Sequence, residues 1–233
     1  MNRLDYRNNS AGNRDVEGIS EENLLQTIRL RAAEHFADAR GSHAWDHTLR
    51  VVRLCERIGP REGADMLVLR AAAYLHDIGR SAQDSSRGML CHAAKGAEMA
   101  RELLARLPLA PARCDNIVHC VRSHRFRDGV RPQTREARVL FDADKLDAIG
   151  AVGVARAYLF AGELGACLHN PDLAPEHASA YSRNDTGYRE YMVKLSNIKA
   201  RILTPEGRRL AEERHAFMRG FFERFIDEYE GRC

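Results

Sequence analysis

An imidazole and a carboxylate stand side by side in the stretch AAAYLHDIGR, where an apolar run ends in His76 and Asp77. Gly79 predicts a left-handed residue that ends the helix, which would put Asp77 in its last turn. A carboxylate there opposes the partial negative charge of the helix end, and burying it costs several kcal/mol unless positive charge lies nearby. A bound divalent cation or an arginine such as Arg80 could supply that charge.

Further histidines are spaced so that they face inward on helices. His47 and His124 each lie on the apolar face of a helix, whereas His119 points outward. His92 begins another helix, in which Gly96 predicts a close approach to a neighbouring helix. A lone inward histidine is usually a core residue, but several of them together indicate a shared site.

The segment FDADKLDAIGAVG adds three carboxylates, Asp142, Asp144 and Asp147, to surroundings that are apolar on all faces. Buried acids in this number need counter-charge. The periodicity does not choose between Asp142 and Asp144, because both sides of this helix are expected to be buried. Imidazoles with carboxylates predict a metal site with nitrogen and oxygen ligands, which suits divalent ions such as Mn, Fe, Co, Ni, Zn or Mg.

The elements that must position these residues are predicted to be helices, because apolar residues recur at helical spacing almost throughout the chain. The second helix is expected to stop at Gly59-Pro60, and the sixth to be continuous or broken near Gly150 and Gly153. The sequence therefore predicts one all-α domain. The predicted helices cover residues 22–37, 43–59, 64–79, 92–107, 111–126, 134–164, 188–203 and 205–230.

The organisation along the chain follows from composition. Residues 1–19 read as a polar, disordered tail without a secretion signal, and residues 20–168 as the helical core that carries the site. Residues 169–186, rich in Pro, Asn, Asp and Ser, are expected to form a loop. Residues 187–233 are expected to be helices that pack on the same domain.

Bulk composition excludes several classes of protein. The 233 residues are 44% hydrophobic and 30% charged, and no window is apolar enough to span a membrane. Six dispersed cysteines without CxxC spacing favour free thiols in a reducing cytoplasm. The net charge is +3, the arginines are scattered among acids, and there are only four lysines. This composition argues against a nucleic-acid partner.

In these motifs the chain resembles the HD-domain superfamily of metal-dependent phosphohydrolases, and within it the bacterial stand-alone branch. The resemblance covers residues 22 to 230 and rests on His47 in WDHTLRVV, His76 and Asp77 in LHDIG, and Asp144 in ADKLDAIG. In the family, the last metal ligand lies in such an Ala-Asp-Lys-Leu context, which selects Asp144 over Asp142. The resemblance implies a single HD-domain helical bundle with a C-terminal helical extension.

The same resemblance extends to a second metal. Some members of the superfamily carry two more histidines and let the HD aspartate bridge two ions, and His92 and His124 are similar to those residues by position. Their alternative roles are to bind substrate phosphate or to cap and pack helices. The cyclic-dinucleotide phosphodiesterase branch is disfavoured, because its Gly-Tyr-Pro motif is replaced here by SHRFRDGVRPQ.

The activity expected from the resemblance is hydrolysis of a nucleotide or similar small phosphoester, with Asp77 at the centre of catalysis. Lys145 and Arg80 are expected to act on the phosphate, with Arg50 and Arg125 as further substrate-binding residues; an exposed helix lysine is the alternative for Lys145. A di-iron oxygenase and a non-catalytic nucleotide-sensing module remain open. The phenylalanines of the last helix could be core, which is favoured, or the surface of a homodimer.

Overall fold

A computed structural model describes the protein over residues 19–36, 45–86, 89–125 and 129–233. Within these ranges the chain is helical and contains no strand, which confirms the predicted all-α class. Residues 1–18 of the predicted tail lie outside the described residues. The α-helices are α1 (Glu21–Glu34), α2 (Trp45–Glu62), α3 (Met66–Leu75), α4 (Arg80–Ser85), α5 (His92–Leu104), α6 (Pro111–Ser123), α7 (Arg135–Asp147), α8 (Gly150–Glu163), α9 (Gly187–Val193) and α10 (Pro205–Tyr229), with 3-10 segments at Pro175–His177 and Leu195–Arg201.

Helix α3 is the central element of the bundle. It packs against α1, α2, α6 and α7, and nearly all of its side chains are buried. The carboxylate of Asp65 caps its beginning by accepting hydrogen bonds from the backbone N–H groups of Leu67 and Val68. The apolar run that precedes His76 and Asp77 is therefore a core helix, as its sequence predicts, and it places these two residues in the interior.

Gly79 does not have the predicted left-handed conformation. Its φ is −84°, α3 ends at Leu75, and Gly79 lies at the beginning of α4. The glycine is needed for space instead, because a Cβ here would lie 2.4 Å from the carbonyl oxygen of His92 and 2.6 Å from the nitrogen of Gly96. The close approach predicted at Gly96 is thereby confirmed, and it brings the first turn of α5 against the turn that carries Asp77.

The structure corrects two predicted helix boundaries and confirms the broken alternative for the sixth helix. Helix α2 does not stop at Gly59-Pro60 but continues to Glu62 with Pro60 inside it. The long sixth segment is two helices, α7 and α8, separated where Gly150 adopts a φ of +79°. The predicted helix at 188–203 is divided at Lys194 into α9 and the 3-10 segment that follows.

The C-terminal helix α10 packs against α2, α7 and α8, so it adjoins the helices that carry His47 and Asp144. The two residues before it are held by Asp142, which accepts hydrogen bonds from the backbone of Leu203 and from both the backbone and the hydroxyl of Thr204. On its aromatic face Phe222 is buried, whereas Phe217 is 48% exposed. In the described ranges, no helix has the length and apolarity needed to cross a bilayer.

Candidate metal centre

Five parts of the helical bundle bring the six predicted metal ligands together at one buried centre. All are largely inaccessible to solvent, with Asp144 the most open at 18% side-chain exposure. The sources are the first turn of α2 (His47), the turn after α3 (His76 and Asp77), the first residue of α5 (His92), the residue after α6 (His124) and the last turns of α7 (Asp144).

His47, His76 and Asp144 form the first group of candidate ligands. Their donor atoms lie within 4.8 Å of one another, close enough to hold one ion. The Nε2 atoms of His47 and His76 are 3.3 Å apart, and Nε2 of His47 is 3.4 Å from Oδ1 of Asp144.

Asp77, His92 and His124 form the second group, with donor atoms equally close together. The Nε2 atoms of the two histidines are 3.2 Å apart. Oδ1 of Asp77 lies 3.1 Å from Nε2 of His92 and 3.5 Å from Nε2 of His124.

Asp77 stands between the two groups and turns one oxygen toward each. While Oδ1 faces the second group, Oδ2 lies 3.9 Å from Nε2 of His47 and 3.8 Å from Nε2 of His76. A carboxylate in this position can ligate two ions at once. The arrangement therefore fits either a single ion or an adjacent pair.

The four imidazole rings are oriented by hydrogen bonds at their outer nitrogens. In every ring Nδ1 lies 2.7 or 2.8 Å from an oxygen acceptor, which draws the ring proton to Nδ1 and leaves the Nε2 lone pair for the centre. The acceptors are the carboxylate of Asp147 for His47, the carbonyl of Ala73 for His76, the side-chain amide of Gln83 for His92 and the carbonyl of Val121 for His124.

This donor set fits a first-row divalent ion. Imidazole nitrogens and carboxylate oxygens are the ligands such ions accept, and the second nitrogen of each ring is already fixed as metal sites require. Two neutral imidazoles that both present Nε2 lone pairs at 3.2–3.3 Å repel each other unless a proton or a cation lies between them.

Burial prepares two of the histidines for this role. It lowers the pKa of His76 to about 4. Burial also lowers the pKa of His92 to about 4, although the carboxylate of Asp77 opposes the shift. Both rings are therefore neutral near pH 7, which is the form that binds metal.

His47 behaves differently because carboxylates surround it. Burial disfavours its charged form, but hydrogen bonds to Asp144 and Asp147 outweigh burial and raise its pKa to about 9. Burial likewise disfavours the charged form of Asp144, but Lys145 and His47 hold the pKa of that carboxyl well below its usual range. In the metal-free protein, a proton on His47 thus occupies the place of a cation beside Asp144.

Asp147 and Gln83 are the two residues at this centre whose roles the sequence did not reveal. The sequence predicted Asp147 only as one of three buried carboxylates. Its spacing of three residues from Asp144 places both on one side of α7, and this spacing is the signal that could have indicated its role. The structure places it beneath His47, where it also accepts from Arg50 and Arg156. Gln83, which lies behind His92, carried no signal in the sequence.

Two of the predicted phosphate-binding residues border the ligands directly. Nζ of Lys145 lies 2.6 Å from Oδ2 of Asp144, and Arg80 donates to Oδ2 of Asp77 at 3.0 Å. Both side chains are about one-fifth exposed, at 20% and 19%, so they lie where the centre meets solvent.

The other two predicted contacts lie one step further from the ligands. Arg125 donates to the amide oxygen of Gln83 at 3.1 Å, on the side of the second group. Arg50 is held between Asp46 and Asp147, to which it donates at 2.6 and 2.7 Å. That Arg50 contacts substrate therefore stays a prediction, and in this structure its partners are carboxylates.

Known proteins share sequence similarity and fold with this chain. The HD domain family model matches residues 44–149, which include all six candidate ligands. The chain is 31% identical to the uncharacterised protein YpgQ of Bacillus subtilis over 218 residues, covering 91% of this chain and 97% of YpgQ. The crystal structure of YpgQ superposes with a TM-score of 0.70 over 90% of this chain and 97% of YpgQ, and YpgQ has also been crystallised in complex with ADP.

Two further similarities extend the comparison. An HD-superfamily hydrolase from Bacillus thuringiensis superposes with a TM-score of 0.72, covering 91% of this chain and 99% of the other; at 23% identity it supports the fold. Ribonuclease Y of Chloroflexus aurantiacus is 30% identical over 132 residues, which cover 57% of this chain but 23% of the ribonuclease.

Proposed function

The chain belongs to the HD-domain superfamily, and from this membership and the geometry of its centre we propose that it is a metal-dependent phosphohydrolase acting on a nucleotide or similar small phosphoester. The observation that carries the proposal is the position of Asp77, which turns one carboxylate oxygen toward each of two histidine pairs. A purely structural carboxylate does not need four convergent imidazole nitrogens.

The proposed ligands are His47, His76, Asp77 and Asp144 for one ion, with His92 and His124 completing a second position beside Asp77. A divalent ion held there polarises phosphoryl oxygens and lowers the pKa of bound water. The protein holds these ligands in a buried site, so that charge on the substrate is felt strongly and bulk water is kept away.

Lys145 and Arg80 are proposed to bind the substrate phosphate. In the structure each is paired with a candidate ligand carboxylate, Asp144 and Asp77 respectively. When those carboxylates ligate a cation, the ammonium and guanidinium groups become available to an anion at the mouth of the site. Arg125 is proposed to add a third positive charge on the side of the second group.

A nucleotide is proposed as substrate because YpgQ, which this chain matches over almost its whole length, binds ADP in a crystal. Ribonuclease Y supports a phosphodiester as the second candidate substrate. The six-residue ligand set also accommodates two irons, so a di-iron oxygenase is the second candidate reaction. A nucleotide sensor that binds without turnover would need no intact ligand set.

The test is a hydrolysis assay on protein stripped of metal and reloaded with Mn²⁺. Nucleoside mono-, di- and triphosphates and a short RNA are offered in parallel, and products are identified by phosphorus NMR, which separates release of phosphate, pyrophosphate or nucleotide. The proposal expects metal-dependent hydrolysis of a nucleotide that Asp77→Ala abolishes. Oxygen consumption by an iron-loaded sample, or tight nucleotide binding without turnover, would contradict it.

A further inference from the structure

The two groups of candidate ligands differ in what lies behind their histidines. His47 in the first group places Nδ1 2.7 Å from the carboxylate of Asp147. His92 in the second group places Nδ1 2.8 Å from the neutral amide oxygen of Gln83. A carboxylate acceptor makes the opposite ring nitrogen a stronger ligand than a neutral acceptor does.

The negative charge of Asp147 is secured by its surroundings. The side chain is buried, and Nε of Arg50 and a terminal nitrogen of Arg156 each donate to it at 2.7 Å. These donors come from α2 and α8, so the carboxylate is fixed from two directions. Its Oδ2 atom also lies against the ring of His47.

Directly behind the ring of His92, positive charge stands where His47 has the carboxylate of Asp147. A terminal nitrogen of Arg125 lies 3.1 Å from the amide oxygen of Gln83 and 3.1 Å from Nδ1 of His92. A guanidinium at this distance disfavours a cation on the far side of the same ring. Among the residues that the structure describes, the second group has no carboxylate beyond Asp77, whereas the first group has Asp144 as well.

We propose that Asp147 and Gln83 are positioning residues that give the two metal positions unequal affinities, so that the first group fills before the second. This inference rests on the proposed function, because it assumes that both groups bind metal. It implies that the free metal concentration controls how many chains carry a complete pair of ions.

Stepwise loading is tested at pH 9.5, where the ring of His47 has lost its competing proton, by adding Mn²⁺ to metal-free protein and recording electron paramagnetic resonance spectra. The variants are measured at the same pH. One equivalent should give the spectrum of an isolated bound ion, and the spectrum of an exchange-coupled pair should grow only with the second equivalent. A coupled spectrum at half its final intensity after one equivalent would show that the ions load together, and this would overturn the inference.

Two isosteric variants exchange the acceptors behind the histidines. Asp147→Asn should weaken the first binding step by about 10–100-fold, and Gln83→Glu should tighten the second step by a similar factor while leaving the first unchanged. A structural disturbance would weaken binding but would not tighten it, so Gln83→Glu decides the matter even if Asp147→Asn folds poorly. An unchanged second step in Gln83→Glu would contradict the assigned role.

The failures of the two proposals are distinguishable. If no Mn²⁺ binds to the wild-type protein, the proposed function and this inference both fall. If two ions bind together and a nucleotide is still hydrolysed, the proposed function stands and the unequal affinity is wrong.

Discussion

Nε2 of His92 lies 3.2 Å from Nε2 of His124, although the Nδ1 atoms of both rings already face other acceptors. Such contacts between lone pairs are unfavourable in a buried site unless positive charge separates them. The centre therefore lowers the stability of the metal-free protein and raises its affinity for cations.

We expect metal to stabilise the fold. With free Mn²⁺ at a hundredfold excess over Kd, the gain is about 2.7 kcal/mol, because an ion that binds only the folded state shifts the unfolding equilibrium. For a chain of this size that corresponds to a rise in Tm of about 5–10 °C. Calorimetric scans with Mn²⁺ and with EDTA measure the shift, and identical Tm values would count against a preformed metal centre.

Asp142 and Asp144 should respond oppositely to the same substitution. Asp144→Asn is expected to lose bound metal with little change in the free energy of unfolding measured in the absence of metal. Asp142→Asn should keep metal but lose about 1–3 kcal/mol of stability, because Asp142 accepts the hydrogen bonds that begin α10. Metal analysis and urea unfolding of both variants test this, and metal loss in Asp142→Asn would show that the two roles are misassigned.

Metal affinity should depend on pH through His47. The neighbouring carboxylates Asp144 and Asp147 raise its pKa, against burial, to about 9, so the ring must lose a proton before it can ligate an ion. Affinity should therefore rise by about tenfold per pH unit from pH 7 toward pH 9 and then level off. Titration calorimetry in buffers of different ionisation enthalpy should find about one proton released per chain at pH 7.5. Flat affinity over this range would exclude a protonated His47.

Gly79→Ala should disturb the second group selectively. The added Cβ would lie 2.4 Å from the carbonyl oxygen of His92, so α5 must move away from Asp77. We expect one ion per chain rather than two and a loss of about 1–3 kcal/mol in stability. Gly162→Ala in α8 is the matched control, because nothing lies within 4 Å of its added Cβ and a helical alanine gains up to about 1 kcal/mol. Two ions bound in Gly79→Ala would mean that α5 tolerates the shift.

Much of this architecture could be predicted from the sequence, because helical periodicity and burial act locally. The inward faces of α2 and α6 gave the positions of His47 and His124, and the apolar run of α3 predicted a core helix. Periodicity left Asp142 and Asp144 undecided. Only the tertiary structure distinguishes them, because Asp142 contacts the beginning of α10 and Asp144 contacts His47.

The errors arose where distant parts of the chain decide local structure. Gly79 resembles a residue that ends a helix. A glycine is needed there because the backbone of α5 lies too close for a side chain, and a helix-end pattern in the sequence does not reveal that contact. Asp147 and Gln83 act through rings 100 and 9 residues away in the sequence, at positions where no spacing rule applies.

The most direct measurement is the number of ions bound per chain at saturating Mn²⁺, by native mass spectrometry. The wild type should hold about two ions per chain and His124→Ala about one. His119 lies in α6, just before His124, and is hydrogen-bonded to the backbone of Gln133 away from the centre, so His119→Ala should keep two. If the wild type retains no metal above background, the account of a metal-dependent phosphohydrolase is wrong.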